Sequence, residues 1–282
     1  MPLLITDPLW AAGLIFLLSL CVGSFLNVVI HRLPIIMERE WALMCSPEQP
    51  LTPATYNLSL PASSCPGCGH KIRWYENIPL LSYAWLRGRC SGCRTPISLR
   101  YPFVELLTGC SSAYVVYLFG LNPAGLTLVL LTWGLICLLF IDLDHQLLPD
   151  RITLPLLWLG LLANSFNLFT SLENAVYGAM AGYLTLWGVY WAFKLLTGKE
   201  GMGYGDFKLL AALGAWAGIG QLPFIILMSS LVGAIFGIGM MLLRNHQSQT
   251  PIPFGPYLAI AGWIALLWGD HITSLYLQFL AV

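Results

Sequence analysis

Apolar and polar residues fall along this chain in long blocks rather than in a short period. Eight apolar runs, at 9–30, 102–120, 124–142, 153–170, 174–196, 206–220, 223–243 and 254–272, are separated by polar connections. Runs of this kind predict membrane-crossing helices, because about 20 apolar residues rising 1.5 Å each cover the hydrocarbon core. The sixth run is short, so a helix there starts inside the membrane, tilts, or is shielded by its neighbours. The only sizeable polar stretch is 31–101, and its first half, including 46–53, reads as irregular loop. The expected fold class is an all-α polytopic membrane protein with about eight transmembrane helices and a small cytoplasmic insert. The expected division is a first transmembrane helix (1–30), the polar segment (31–101) and a seven-helix membrane domain (102–282).

Composition agrees with the pattern. The chain is 57% hydrophobic and 9% charged, with a mean hydropathy of +0.74. Soluble domains carry about 25% charged residues, so a lipid bilayer is the expected partner. The net charge of zero gives no electrostatic footprint for nucleic acid, and none is expected. No Lys or Arg precedes the first apolar run, so the basic start of a signal peptide is missing and the run reads as a retained helix.

The placement of charge then orients the chain. Putting 31–101 in the cytoplasm places Arg32, Arg39, Lys71, Arg73, Arg87, Arg89, Arg94 and Arg100 there. Arg151, Lys194, Lys199, Lys208 and Arg244 fall at the next connections on that side, which accounts for all 13 basic residues. Asp7, Glu173 and Asp270 lie on the other side. By the positive-inside rule both termini are non-cytoplasmic. Gly178 and Gly182, Gly214 and Gly218, and Gly233 and Gly237 are spaced for close helix contact and read as packing residues.

Four of the eight cysteines form a set. Cys65-Pro66-Gly67-Cys68 and Cys90-Ser91-Gly92-Cys93 are two Cys-x2-Cys knuckles separated by 21 residues. Four thiolates so spaced suit a tetrahedral zinc site of the ribbon type. Redox dithiols or a disulfide clamp are the competing readings, and a reducing cytoplasm favours the metal. Four protein ligands close the site, so the zinc is structural, and a segment with little core needs such a staple. The glycine in each knuckle is expected to permit the tight turn. Cys21, Cys110 and Cys137 sit in apolar runs and read as small packing residues, while Cys45 has no evident partner.

Two acids interrupt the apolar pattern. Asp142 follows the run at 130–141, and Asp206 closes Gly203-Tyr204-Gly205-Asp206 at the start of another. A carboxylate in a bilayer costs about 2.5–3.5 kcal/mol on insertion scales, so such a residue faces protein and has a function. Two neighbouring carboxyls share one proton, and the pair can hydrolyse a peptide without a covalent intermediate. Asp142 is the deepest of the acids in its segment. Asp144 lies about 200° away on a helix and cannot share its face. Asp150 reads as an N-cap. Gly203 and Gly205 free the backbone to bend and let an extended substrate approach Asp206.

With these residues in hand, the chain resembles the bacterial type IV prepilin peptidases, membrane aspartyl proteases with a Gly-x-Gly-Asp motif. The resemblance spans Gly23-Ser24-Phe25-Leu26-Asn27-Val28-Val29-Ile30-His31-Arg32-Leu33-Pro34, the cysteine quartet with Trp74-Tyr75-Glu76-Asn77-Ile78-Pro79 between the knuckles, Arg100-Tyr101-Pro102, the 142–150 segment and Gly203-Tyr204-Gly205-Asp206-Phe207-Lys208. It implies that Asp142 and Asp206 are catalytic. It implies cleavage of the basic leader of prepilins and pseudopilins after a glycine, at the cytoplasmic face of the bacterial inner membrane. It further implies N-methylation of the new terminus with S-adenosylmethionine, for which no residues are assigned.

Three other readings use the same features. Intramembrane acids and glycine-broken helices also mark proton- or ion-coupled transporters. That class predicts a path open to both sides, whereas the acids here cluster at one face. A zinc-ribbon assembly scaffold with structural carboxylates is a second. A Gly-x-Gly-Asp protease acting on other membrane helices is a third, against which the zinc segment argues.

Overall fold

The computed structural model describes residues 8–45, 55–199, 201–243 and 253–280. The expected loop at 46–53, the charges of Asp7 and Arg244 and the side chain of Asp270 lie outside the described residues. The chain forms two compact units, divided after Cys137.

The first unit is built on α1 (Pro8–Cys45), the short α2 (Leu81–Trp85) and α3 (Arg100–Phe119), and takes in the first part of α4 (Pro123–His145). α1 has 38 residues and continues well past the expected end at residue 30. At 1.5 Å per residue it is about 57 Å long, roughly twice the hydrocarbon core. The loop expectation for 31–45 therefore fails. Residues 37–44, Met-Glu-Arg-Glu-Trp-Ala-Leu-Met, are mostly good helix formers and carry the helix beyond Pro34. Arg32 is buried on this helix and donates to the carbonyls of Pro61 (2.7 Å) and Asn57 (3.0 Å). A buried guanidinium needs such partners. It thereby ties the start of the polar segment to α1.

α1 and α3 pack closely because small residues line the seam. Gly23 faces the backbone of Glu105, and Gly109 faces Phe16 and Leu20. Glu105 is buried and accepts the backbone N–H of Leu80 at 2.9 Å. Asn27 donates to the carbonyl of Tyr101 at 3.1 Å. The polar segment is thus pinned to the helix pair at several points. Of the three cysteines read as packing residues, only Cys137 is buried, while Cys21 and Cys110 are exposed on their helices.

The second unit holds the end of α4 with α5 (Asp150–Ser165), α6 (Leu172–Thr197), α7 (Tyr204–Ala217), α8 (Leu222–Leu243) and α9 (Gly255–Leu280). α7 has only 14 residues, about 21 Å of helix. Its side chains are nearly all buried, including Phe207, Leu209, Leu210, Leu213 and Trp216, so its neighbours shield it as one of the readings of the short run required. α6 crosses α7 where Gly178 meets the backbone of Gly214 and Gly182 meets the carbonyl of Leu210. Any side chain at Gly178 or Gly214 would strike the opposing backbone, so the small-residue spacing does serve packing.

α5 grips the far end of α7. Trp216 Nε1 donates to the Leu156 carbonyl at 2.8 Å, with Gly160 against its ring. Asn164, fully buried, donates to the carbonyls of Ala215 and Trp216 and accepts the N–H groups of Phe169 and Thr170. All of its side-chain hydrogen-bonding groups are engaged, and they join the C-terminus of α7 to the turn after α5.

Among the described residues, helices stand at each of the eight expected apolar runs. Four stretches are long and apolar enough to cross a membrane, namely Pro8–Cys45, Arg100–Phe119, Pro123–His145 and Ile219–Gly239, with a shorter apolar helix at Gly255–Gly269. The protein is an all-α, multi-pass membrane protein with a zinc-ribbon-like insert.

Candidate active site and metal knuckles

The first site lies in the polar segment. The backbone repeats itself at the two knuckles. The N–H of Cys65 donates to the His70 carbonyl and that of Gly69 to the Cys65 carbonyl, both at 2.9 Å. In the second knuckle the N–H of Cys90 donates to the Thr95 carbonyl (2.9 Å) and that of Arg94 to the Cys90 carbonyl (3.0 Å). Isolated antiparallel bridges, Ser64 with Lys71 and Arg89 with Pro96, close each knuckle at equivalent positions. The left-handed residue of each turn is Gly69 (φ +71) and Arg94 (φ +58), not the glycine inside each knuckle as expected from sequence. Gly67 and Gly92 instead leave room for the opposite knuckle. A Cβ at Gly67 would lie 3.3 Å from Thr95 Oγ1, and one at Gly92 3.4 Å from His70 Cβ.

The four sulfurs lie within 4.8 Å of one another. Cys65 Sγ is 3.7 Å from Cys93 Sγ, and Cys68 Sγ is 3.9 Å from Cys90 Sγ. Zn–S bonds of about 2.3 Å at tetrahedral angles require sulfurs about 3.8 Å apart. Two of the sulfur pairs already stand at this separation, and the donor set fits zinc. The Thr95 hydroxyl, 3.0 Å from Cys93 Sγ, pushes that thiol down and so favours the thiolate that a metal needs, while the neighbouring sulfurs push Cys68 up. Nearby, Glu76 accepts the N–H of Arg73 at 2.9 Å and sits 3.2 Å from His70 Nε2. These contacts hold its carboxyl down at about 2, chiefly through the Arg73 N–H.

The second site lies in the second unit. Asp142 is on the last turn of α4, 5% exposed, while Asp144 is exposed. The helical separation of the two acids expected from sequence is thus present. Asp206 is 6% exposed and occupies the first turn of α7, with Gly203 as N-cap. It is not itself the cap. Leu148 is a common neighbour of the two helix ends: a Cβ at Gly205, beside Asp206, would lie 2.7 Å from Leu148 Cβ, and one at Gly255, against Asp142, 3.1 Å from Leu148 Cδ2. The structure therefore brings together the helix ends that carry Asp142 and Asp206, which are distant in the chain.

A residue that sequence reasoning missed holds one of them. The backbone N–H of Gly255, at the start of α9, donates to Asp142 Oδ2 at 3.0 Å. A Cβ at this glycine would lie 2.6 Å from the same oxygen. Three helix ends thus converge on the acids. The available signal was Pro253-Phe254-Gly255-Pro256, a glycine between prolines just before an apolar run. Leu148, buried in the turn after α4, completes the contact by packing against Gly205, where a Cβ would lie 2.7 Å from Leu148 Cβ.

The glycines of the motif behave differently from expectation. Gly203 is extended (φ −83, ψ 154) and Gly205 is already helical, so neither draws on a left-handed backbone. Only the Gly205 nitrogen, in the first turn of α7, comes within 4 Å of a Cβ at Gly203, and Gly203 itself is exposed. Tyr204 is fixed by rings, 5.3 Å from Tyr190 and 5.4 Å from Phe207. Asp150 is not the N-cap of α5, since Pro149 takes that position. Its carboxylate instead meets Lys208 Nζ at 2.7 and 2.8 Å. An apolar cavity of about 360 Å³ opens beside the motif, lined in part by Met202, Ile226, Pro253, Phe254 and Tyr257.

These features define a class: a multi-pass helical membrane protein with a clustered pair of Cys-x2-Cys knuckles and two buried carboxylates on separate helices. The chain belongs to the type IV leader peptidase family. The family model for the bacterial peptidase A24 N-terminal domain matches residues 17–119, and that for the type IV leader peptidase family matches 129–238. Curated relatives named prepilin leader peptidase/N-methyltransferase are similar over nearly the whole chain. That of Pseudomonas aeruginosa is 63% identical over 267 residues, covering 93% of this chain and 92% of the relative. That of Aeromonas hydrophila is 63% identical over 270 residues, covering 94% and 93%. That of Stutzerimonas stutzeri is 59% identical over 280 residues, covering 98% and 97%. No solved structure matches the chain. The transporter reading finds no support in these relatives.

Proposed function

We propose that this protein is a membrane aspartyl endopeptidase that removes the leader of type IV prepilins and pseudopilins and then N-methylates the new terminus. Relatives at 63% identity carry the name of both activities. The observation that carries the proteolytic half is two buried carboxylates, Asp142 and Asp206, on separate helices whose ends share Leu148 as a neighbour.

The chemistry follows from one proton shared by two acids. The ionised carboxylate takes a proton from a water molecule as its oxygen attacks the scissile carbonyl. The protonated carboxyl gives its proton to the carbonyl oxygen, so the tetrahedral species forms without net charge in a low-dielectric site. Collapse of that species passes a proton to the leaving nitrogen and restores the pair. The Gly255 N–H orients Asp142 throughout, since it fixes Oδ2. The open backbone at Gly203 suits an extended substrate strand, and the adjacent apolar cavity suits the apolar residue that follows the cut.

Zinc would be held by Cys65, Cys68, Cys90 and Cys93 as a structural ion, folding 60–100 into a unit without joining the reaction. S-adenosylmethionine would supply the methyl group. The cavity next to Met202 and Phe254 is lined by no acid or amide for the ribose and amino-acid ends of that molecule, so it does not suit it. We assign three parts: a first transmembrane helix (1–30), whose helical course continues to Cys45, a zinc-binding segment (31–101) and a protease domain (102–282). The distribution of basic residues supports a cytoplasmic zinc segment and non-cytoplasmic termini. In that orientation Asp142 and Asp206 work at the cytoplasmic face.

The test is mass spectrometry of a prepilin incubated with the purified full-length protein, with and without S-adenosylmethionine. The proposal expects a cut after the leader glycine in both and an added methyl group only with the cofactor. An unaltered substrate would overturn it.

A further inference from the structure

The contact between Asp150 and Lys208 joins the two halves of the carboxylate pair from outside it. Lys208 Nζ sits 2.8 Å from Asp150 Oδ1 and 2.7 Å from Asp150 Oδ2, so one ammonium is held by both oxygens. Lys208 lies two residues after Asp206 on α7, and Asp150 begins α5, eight residues after Asp142. Two residues along a helix turn a side chain by about 200°, so Lys208 points away from the side that presents Asp206. It touches neither acid of the pair by this geometry, and any effect on them passes through the backbone.

The chain between Asp142 and Asp150 is short and held at each step. The N–H of Gln146 donates to the Asp142 carbonyl at 2.9 Å, and Gln146 itself takes a positive φ of +52 that turns the chain. Leu148 is buried against Gly205, and a Cβ at Gly255 would come within 3.1 Å of its Cδ2. The Pro149 carbonyl accepts the N–H groups of Ile152 (2.9 Å) and Thr153 (3.1 Å) and so starts α5. The end of α4 and the start of α5 are therefore tied by a short, packed turn. Lys208, in the second turn of α7, holds the start of α5.

We propose that the Lys208–Asp150 ion pair is a positioning clamp that sets the approach of Asp206 to Asp142. The proposal rests on the reading of those two acids as the cleaving pair. The clamp contributes little to overall stability, because its side chains are 31% and 50% exposed and such pairs are screened by water. Its value is geometric. Two carboxyls that must exchange one proton and address one water tolerate little displacement, and a misplacement of about 1 Å can cost about 100-fold in rate.

The experiment uses the full-length protein in proteoliposomes with a prepilin substrate, comparing Lys208→Met, Asp150→Asn and the charge-reversed double variant Asp150→Lys with Lys208→Asp. The clamp predicts that each single variant loses about two- to five-fold in kcat, the most that an exposed pair worth about 1 kcal/mol can enforce. It predicts a KM within about two-fold of the wild type and a nearly unchanged thermal midpoint, because only geometry is altered. It also predicts that the reversed pair recovers most of the lost kcat. A single variant with wild-type kcat would overturn the clamp. So would a raised KM at constant kcat, which would make the pair a substrate contact. A loss that follows a lowered thermal midpoint and is not recovered by reversal would make it merely structural. Asp142→Asn separates the two levels: if it still cleaves, the carboxylate assignment is wrong, whereas an inactive Asp142→Asn beside a fully active Lys208→Met removes the clamp alone.

Discussion

Replacing Gly255 by alanine tests how finely Asp142 is placed. The added Cβ would lie 2.6 Å from Asp142 Oδ2, 3.1 Å from its Cγ and 3.1 Å from Leu148 Cδ2. Carbon and oxygen do not approach to 2.6 Å without a bond, so something must move. Leu148 is confined by Gly205 on its other side, which leaves Asp142 and the start of α9 to give way. The 3.0 Å bond from the Gly255 N–H to Asp142 then lengthens or breaks. A hydrogen bond to a charged group is worth about 1.5–3 kcal/mol. At 1.36 kcal/mol per tenfold, its loss in the transition state lowers kcat by about 10- to 100-fold. The assay is the initial rate of leader removal by purified protein in proteoliposomes, read by gel shift over a range of substrate concentrations. Gly188→Ala is the control, since a Cβ there meets nothing within 4 Å. It should leave kcat unchanged. A folded Gly255→Ala protein that cleaves at the wild-type rate would refute the claim that this glycine holds Asp142.

Other predictions follow from the same contacts. Cys65→Ser or Cys90→Ser should abolish bound zinc by metal analysis and open 60–100 to proteolysis; retained zinc at one equivalent would contradict the tetrahedral assignment. Thr95→Val removes the hydroxyl that favours the Cys93 thiolate, and zinc loss to a chelator should become about 10-fold easier, with no change in the quartet itself. Asn164→Ala strands the N–H groups of Phe169 and Thr170 and the carbonyls at the end of α7, so the thermal midpoint should fall in line with a loss of about 2–4 kcal/mol; an unshifted midpoint would show that these bonds are replaced. Gly214→Val should separate α6 from α7 at Gly178 and destabilise the protein more than Gly188→Val does.

What the sequence made legible was carried by local pattern. Apolar runs mark helices wherever the backbone must satisfy itself in lipid, and the helices stand where the runs lie. Cysteine spacing foretold the meeting of four thiols because two short knuckles suffice to build such a cluster. The rotation between Asp142 and Asp144 followed from helix geometry alone, and only Asp142 is buried. What stayed hidden depends on distant partners. Gly255 meets Asp142 across 113 residues, and Lys208 meets Asp150 across 58, so neither contact has a local signature. Asp150 looked like a helix cap because Asp commonly is one, but a lysine on another helix offers a stronger partner. α1 outran its apolar stripe because helix-forming residues continued after the membrane pattern ended.

The central claim is that Asp142 and Asp206 together cleave the substrate. Its most direct measurement is leader removal by Asp142→Asn and Asp206→Asn, with exposed Asp144→Asn beside them, in protein shown to be membrane-inserted and folded. Losing an acid–base partner costs about 10²–10⁴-fold. The account predicts that both buried-site variants lose cleavage on at least this scale while Asp144→Asn retains it. Substantial cleavage by either Asp142→Asn or Asp206→Asn would contradict it.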